Sequence, residues 1–267
     1  MGVVEVEERG DVAVITLNRP EKLNAISVEM LDLLFEAVEG IGRSDALRAA
    51  VLTGRGSAFS TGGDISAMHD MDERQFADTI SRYMRLSAAF RACPKPIVAA
   101  IHGYALAGGF ELALMCDVRF AATGTQFGLP DTPLGLSPTS GMTYLLPRIV
   151  GLGRALYLAL GAENIDAEEA ERIGLVSRVV PERDLLAGAE AFAQRVASYP
   201  RVGVSWTKRT FHEGLDLAFH VATRLETEAS PAPVADQAVD MSSSERRLVS
   251  ILFVAAGHVF VARRDVT

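Results

Sequence analysis

Cysteine is scarce, with only Cys93 and Cys116 in 267 residues. Two thiols are too few for a disulfide framework or a zinc cluster, and both stand in apolar runs typical of inert core thiols. A reducing cytosolic, or cytoplasmic, location is the expectation that follows. Basic charge is also in deficit: 26 Lys and Arg face 34 Asp and Glu, a net charge of −8. A broad basic face for nucleic acid or anionic lipid is therefore not expected, and an anionic ligand has to be held by local groups. The histidines, His69, His102, His212, His220 and His258, lack metal-ligand spacing, so no metal site is expected. Two familiar signatures are missing as well. The glycines at 103–109 are not followed by Lys-Ser/Thr, which excludes a P-loop, and Gly135-Leu-Ser-Pro-Thr139 lacks the second glycine of a nucleophile elbow.

Membrane-crossing runs are wanting too. Residues 1–8 are acidic and strand-like, unlike a signal peptide. Residues 97–116 are long enough to span but contain His102, Glu111 and glycines, which fit a buried strand and helix better. Residues 248–262, as a helix, would reach only ~22 Å against a hydrocarbon layer of ~30 Å. No membrane partner is expected.

What is present is ample apolar material, 49% hydrophobic against 22% charged, enough for a sizeable core. Residues 3–6 and 12–17 read as a hairpin around Gly10-Asp11. Residues 27–38 carry apolar side chains at helical spacing and are expected to end at Gly40 and Gly42. A buried strand at 48–53 opens into a glycine- and serine-rich stretch, 54–64. A polar helix at 72–92 is broken by Pro94 and Pro96. A second strand, 97–101, runs into glycines at 103–109, followed by a short helix at 108–115, a strand at 117–121 and an irregular loop at 127–139. Asp166 with Glu169 reads as a capping box and 182–197 as an amphipathic helix. The alternation argues for an α/β fold with parallel pairing.

Two stations repeat a pattern of strand then glycine turn: Ala58-Phe-Ser-Thr-Gly-Gly-Asp64 and His102-Gly-Tyr-Ala-Leu-Ala-Gly-Gly-Phe-Glu111. Glycines let a ligand approach main-chain N–H groups, and two such donors aimed at one carbonyl oxygen form an oxyanion hole; tight turns and close packing are the other use of the same residues. Glu111 lies among apolar neighbours, where a carboxylate is costly unless paired, protonated or used, although a first-turn glutamate also serves as a helix cap. Asp131, on a loop held by Pro130 and Pro133, is a second acid, or else an ordinary turn former.

Four ordered blocks together resemble the enoyl-CoA hydratase/isomerase, or crotonase, family: Asn18-Arg-Pro-Glu-Lys-Leu-Asn-Ala25, Ala58-Phe-Ser-Thr-Gly-Gly-Asp-Ile65, residues 95–113, and Gly174-Leu-Val-Ser-Arg-Val-Val-Pro181. The resemblance implies a spiral of β-β-α units over residues 1–200 and a C-terminal helical trimerisation region over 201–267, assembled as a homotrimer or a dimer of trimers. It implies that Gly63 and Gly108 supply the oxyanion hole and that Glu111 and Asp131 act as the acid/base pair. It also places Lys22, Leu23, Ala25, Thr61, Asp64 and Ile65 against coenzyme A, which enters as part of the substrate, so no separate cofactor is expected. Hydration of a 2-enoyl-CoA is the leading reaction. Isomerisation, thioester hydrolysis and a noncatalytic CoA-binding scaffold are the alternatives.

Three departures from the family pattern stand out. Asp131 replaces a glutamate, which retracts the carboxylate by about 1–1.5 Å on an unchanged backbone. Thr139 stands where some isomerases and hydrolases carry aspartate. The apolar tail at 230–267 is atypical, and burial in a subunit contact or over the acyl pocket is expected of it. Met68, Met71 and Met142 are the expected walls of that pocket.

Overall fold

Strand alternation decides the architecture. The computed structural model describes residues 2–229. Its strands and helices run in order as β1 (Val4–Arg9), β2 (Val12–Leu17), α1 (Val28–Arg43), β3 (Ala49–Gly54), α2 (Ile65–His69), α3 (Glu73–Ala92), β4 (Ile97–Ile101), β5 (Tyr104–Leu106) and α4 (Gly108–Met115). There follow β6 (Val118–Ala122), β7 (Gln126–Gly128), α5 (Met142–Val150), α6 (Leu152–Gly161), β8 (Ile165–Asp166), α7 (Ala167–Arg172), β9 (Arg178–Val180), α8 (Glu182–Ala197), α9 (Arg201–Gly214) and α10 (Phe219–Ala229). The hairpin pairs β1 with β2 antiparallel, and β2, β3, β4, β6 and β9 continue side by side in parallel. A smaller sheet joins β5, β7 and β8.

The central strands are mostly apolar on both faces because both faces are covered, with Arg119 of β6 a buried exception held by Leu175 O and Cys116 O. Ala13, Ile15, Ala50, Leu52, Ile97, Ala99 and Ile101 point to one core, whereas Val12, Ala49, Val51, Val98 and Ala100 point to the other. The second core is closed by α8, whose Leu185, Ala189, Ala193 and Ala197 form one stripe at a spacing of four. Each turn of the chain then adds a strand to the large sheet and a short extended piece to the small layer: β3 leads to Ser60, which bridges Ala105, β4 leads to β5, and β6 leads to β7. This is the spiral of β-β-α units that the resemblance implies.

Three local expectations change. Helix α1 continues past Gly40 and Gly42 to Arg43 because Ile41 is buried and holds the last turn in the core. The loop expected at 127–139 begins as strand, with Phe127 and Gly128 paired to Ala105 and Leu106, and contains a 3-10 turn at Thr132–Leu134. Only half of the capping box at α7 forms: Asp166 accepts from Glu169 N–H at 2.8 Å, but the Glu169 carboxylate turns to Arg172.

The chain divides into a unit of Met1–Leu225 and one of Glu226–Thr267. The division expected at 200/201 falls inside the first unit. Helix α9 is tied there by Lys208, whose Nζ lies 2.9 Å from Asp117 Oδ2, and by His212, whose Nε2 is 2.9 Å from Asp117 Oδ1. Among the described residues no helix is long and apolar enough to cross a membrane. The tail at 230–267 lies outside the described residues.

Candidate active site

A buried polar staple fixes the first glycine station, and backbone bonds from Ser60 join it to the second. Asn24, wholly buried, donates through Nδ2 to Ala58 O (2.7 Å) and Arg55 O (2.9 Å), and its Oδ1 accepts from Arg19 N–H. Ser60 N–H donates to Tyr104 O and Leu106 N–H to Ser60 O, each at 3.0 Å, which zips the first station to β5. The contact leaves no room for side chains. A Cβ on Gly62, at φ +94°, would sit 2.8 Å from the Cβ of Ala107, and one on Gly109 would sit 2.3 Å from Ser60 O. Ala107 itself is held at φ +44°, a strained value for alanine, immediately before α4.

Gly63 and Gly108 therefore line one cavity of about 390 Å³, together with Glu111 and Asp131. Neither glycine N–H gives its hydrogen to a backbone acceptor among the described residues: Gly63 is flanked by the bonds Ile26 N–H to Gly62 O and Asp64 N–H to Ile26 O, and Gly108 is the first residue of α4. A larger concavity of about 580 Å³, beside Cys93 and Trp206, contains none of these four residues.

Glu111 is 4% exposed on a helix buried along its whole length. It does not cap that helix. Its carboxylate accepts from Ser140 Oγ at 2.7 Å, from Thr139 N–H at 2.5 Å and from Thr139 Oγ1 at 3.1 Å. Burial raises its pKa; the Ser140 and Thr139 donors pull the other way, and the Asp131 charge adds to the rise. Asp131 begins the 3-10 turn with no capping bond from its side chain, and its buried Oδ2 has no hydrogen-bond partner among the described residues. Its pKa is raised by burial. One acid is held by three donors and the other is left free, which suits the first to ionise and the second to keep a proton.

Of the remaining expected residues, Thr61 and Ile65 line the cavity, and the others lie on the neighbouring segment or beside them in sequence. Thr61 N–H and Oγ1 donate to Leu23 O, so residues 22–25 run beside 61–65. Lys22, Leu23 and Ile65 are exposed there, and Ala25 and Thr61 are half-buried. Asp64 caps α2 by accepting from Ala67 N–H and pairs with Arg19 Nη2 at 3.0 Å; the Arg19 bond, the larger cause, holds its carboxyl below the usual range. Its side chain is thus committed within the protein.

The apolar wall corrects the expectation about methionines. Met68 lines the cavity, but Met142 is buried in the core at the start of α5, and Met71 meets Thr79 instead. Phe76, Ile80, Leu134 and Leu136 complete the wall. Four residues were not singled out for these roles by the sequence: Arg19, Thr139, Ser140 and Tyr83. Arg19 and Ser140 have no local signature. Tyr83 falls on the buried stripe Thr79, Tyr83, Leu86 and Phe90 of α3, so spacing alone reads it as core.

A spiral that brings two glycine amides and a pair of acids to one cavity is the arrangement of a crotonase-fold enzyme. The sequence comparison agrees with the geometry: the match to the enoyl-CoA hydratase/isomerase family runs over residues 7–245, and the chain belongs to that family. It is 37% identical to the short-chain-enoyl-CoA hydratase of Clostridium acetobutylicum over 230 residues, 85% of this chain and 87% of the relative. The crystal structure of enoyl-CoA hydratase from Bacillus anthracis superposes with a TM-score of 0.84 at 31% identity, covering 96% of this chain and 97% of that one. A monofunctional enoyl-CoA isomerase from M. smegmatis is also similar, with a TM-score of 0.72 and 37% identity over 83% of this chain and 98% of that one.

Proposed function

We propose that the protein adds water to 2-enoyl-CoA thioesters to give 3-hydroxyacyl-CoA, or runs the reverse dehydration. The observation that carries this reading is the grouping of Glu111, Asp131, Gly63 and Gly108 around one cavity. The Gly63 and Gly108 N–H groups donate to the thioester oxygen, and the N-terminal end of α4 adds its dipole to the charge that develops there. Glu111, ionised, takes a proton from water as the oxygen attacks C3. Asp131 gives its proton to C2. The proton left on Glu111 returns to Asp131 through solvent, so one water is consumed and both acids are restored.

The rim at Lys22, Leu23, Ala25, Thr61 and Ile65 receives the coenzyme A portion, with Asp64 acting through Arg19. No cofactor beyond the substrate's own coenzyme A is required by this chemistry. The buried thiols of Cys93 and Cys116 fit a reducing cytoplasm. A trimer, alone or paired, is supported by Leu152, Leu156 and Leu160 of α6, a single stripe left 65%, 47% and 66% exposed.

Isomerisation is the second reading, favoured by the likeness to the M. smegmatis isomerase. Against it, position 139 offers hydrogen-bond donors to Glu111 instead of a further acid. Purified protein assayed with short, medium and branched enoyl-CoA thioesters separates the readings. Loss of conjugated absorbance without thiol release is the expected result. Thiol release marks hydrolysis, a double-bond shift without added water marks isomerisation, and tight binding with no turnover marks a scaffold.

A further inference from the structure

Tyr83 carries an unexplained group into the site. The residue is 5% exposed, and its hydroxyl has no hydrogen-bond partner among the described residues. A buried phenol without a partner costs free energy that phenylalanine would avoid, so its retention calls for a use. Its position is specific. The ring lies against Gly108, where an added Cβ would meet Oη at 3.1 Å and Cε1 at 3.3 Å, and a Cβ on Gly63 would meet the same Oη at 3.6 Å. The hydroxyl therefore stands next to both residues whose amides face the cavity, and Tyr83 itself lines that cavity.

We propose that the Tyr83 hydroxyl is a third hydrogen-bond donor to the thioester oxygen, converging with the Gly63 and Gly108 amides. Three observations narrow its role to donation at this point. The group is neutral and stays so, because burial, reinforced by the Glu111 and Asp131 charges, pushes its pKa up. Neither neighbouring carboxylate bonds the hydroxyl: Glu111 is held by Thr139 and Ser140, and Asp131 makes no bond to Tyr83. Both glycine stations approach Oη from the side on which a Cβ would stand. A phenol is a stronger donor than an amide and, fixed on a capped helix, needs no reorganisation as negative charge grows on the oxygen. Helix α3 is fixed in this way by a capping box between Asp72 and Gln75.

This proposal rests on the hydratase reading, and its test keeps the two apart. Tyr83→Phe removes only the hydroxyl. The expected result is a kcat lower by about 100-fold, the size of one lost oxyanion donor, with KM changed by less than about 3-fold and an unchanged or raised Tm. The second readout needs no turnover: acetoacetyl-CoA bound in the site ionises to an enolate with its own near-ultraviolet absorbance, and its apparent pKa when bound should be higher in Tyr83→Phe than in the parent protein. Equal enolate titrations and equal kcat in the two proteins would overturn the assignment. A kcat loss that follows a fall in Tm, with the enolate titration unmoved, would also overturn it and leave Tyr83 a packing residue. Parent protein that ionises the bound ketoacyl group yet does not hydrate enoyl-CoA would break the hydratase reading alone.

Discussion

Glu111 shows how a single side chain sets function against stability. Its raised pKa means that the folded protein binds the proton more tightly than the unfolded chain does. That contribution to stability is complete below the ordinary glutamate value and disappears as pH rises through the raised one, so at neutral pH the ionised carboxylate is a liability to the fold. Glu111→Gln is expected to lower the hydration rate by about 100-fold or more and to raise or preserve Tm at pH 7–8. The Tm advantage should vanish in acid, as differential scanning fluorimetry across pH would show. The activity profile has the matching sign. With Glu111 required as a base, kcat/KM should fall on the acid side at a pH above the 4.5 of an unperturbed glutamate. With Asp131 required as an acid, Asp131→Asn should cost a similar ~100-fold without a comparable loss of substrate affinity. At this scale the sequence was informative wherever chemistry is local. An acid among apolar residues after two glycines is legible in Glu111, whereas Tyr83 acquires its meaning only when α3 docks its side chain against Gly108.

Elements were read well where period and punctuation agree. Helix α8 occupies the expected 182–197 because its alanine and leucine stripe has an unbroken spacing of four. Helix α1 overran its glycines because tertiary burial of Ile41 outweighs their weak helix propensity, and α2 was missed because five residues are too few to show a period. Helix α9 puts no hydrophobic side chain into the core, and polar contacts hold it within the first unit. Lys208, with a side chain 6% exposed, donates to Phe90 O and Lys95 O in addition to pairing with Asp117. Burial alone would raise the Asp117 pKa, but His212, Lys208 and Ile97 N–H together lower it. Lys208→Met is expected to cost about 2–3 kcal/mol, since the buried Asp117 carboxylate loses one cationic partner and keeps only His212 and Ile97 N–H. Denaturant unfolding would measure that loss, while the assay at low temperature should keep most of its rate if α9 serves only to support the fold.

The whole molecule combines a spiral that was legible as a resemblance with surfaces that were not. Three of the four sequence blocks, each about 30 residues from the next, meet because the parallel strands β2, β3 and β4 stack their C-terminal ends side by side, a consequence of register that linear spacing does not display. The exposed stripe on α6 belongs to the same scale. If the trimer proposed above forms through this stripe, replacing Leu156 and Leu160 together with aspartate is expected to give smaller species in sedimentation than the parent protein, without unfolding the chain, because both side chains are solvent-facing in the single chain. The account as a whole depends on polarisation of one carbonyl by donors from two distant stations. An isotope-edited infrared spectrum of an enoyl thioester labelled with ¹³C at the carbonyl tests this most directly. Bound to the protein, the carbonyl stretch should move to lower frequency than in water, and part of that shift should be lost in Tyr83→Phe. A bound carbonyl vibrating at its solution frequency would contradict the account.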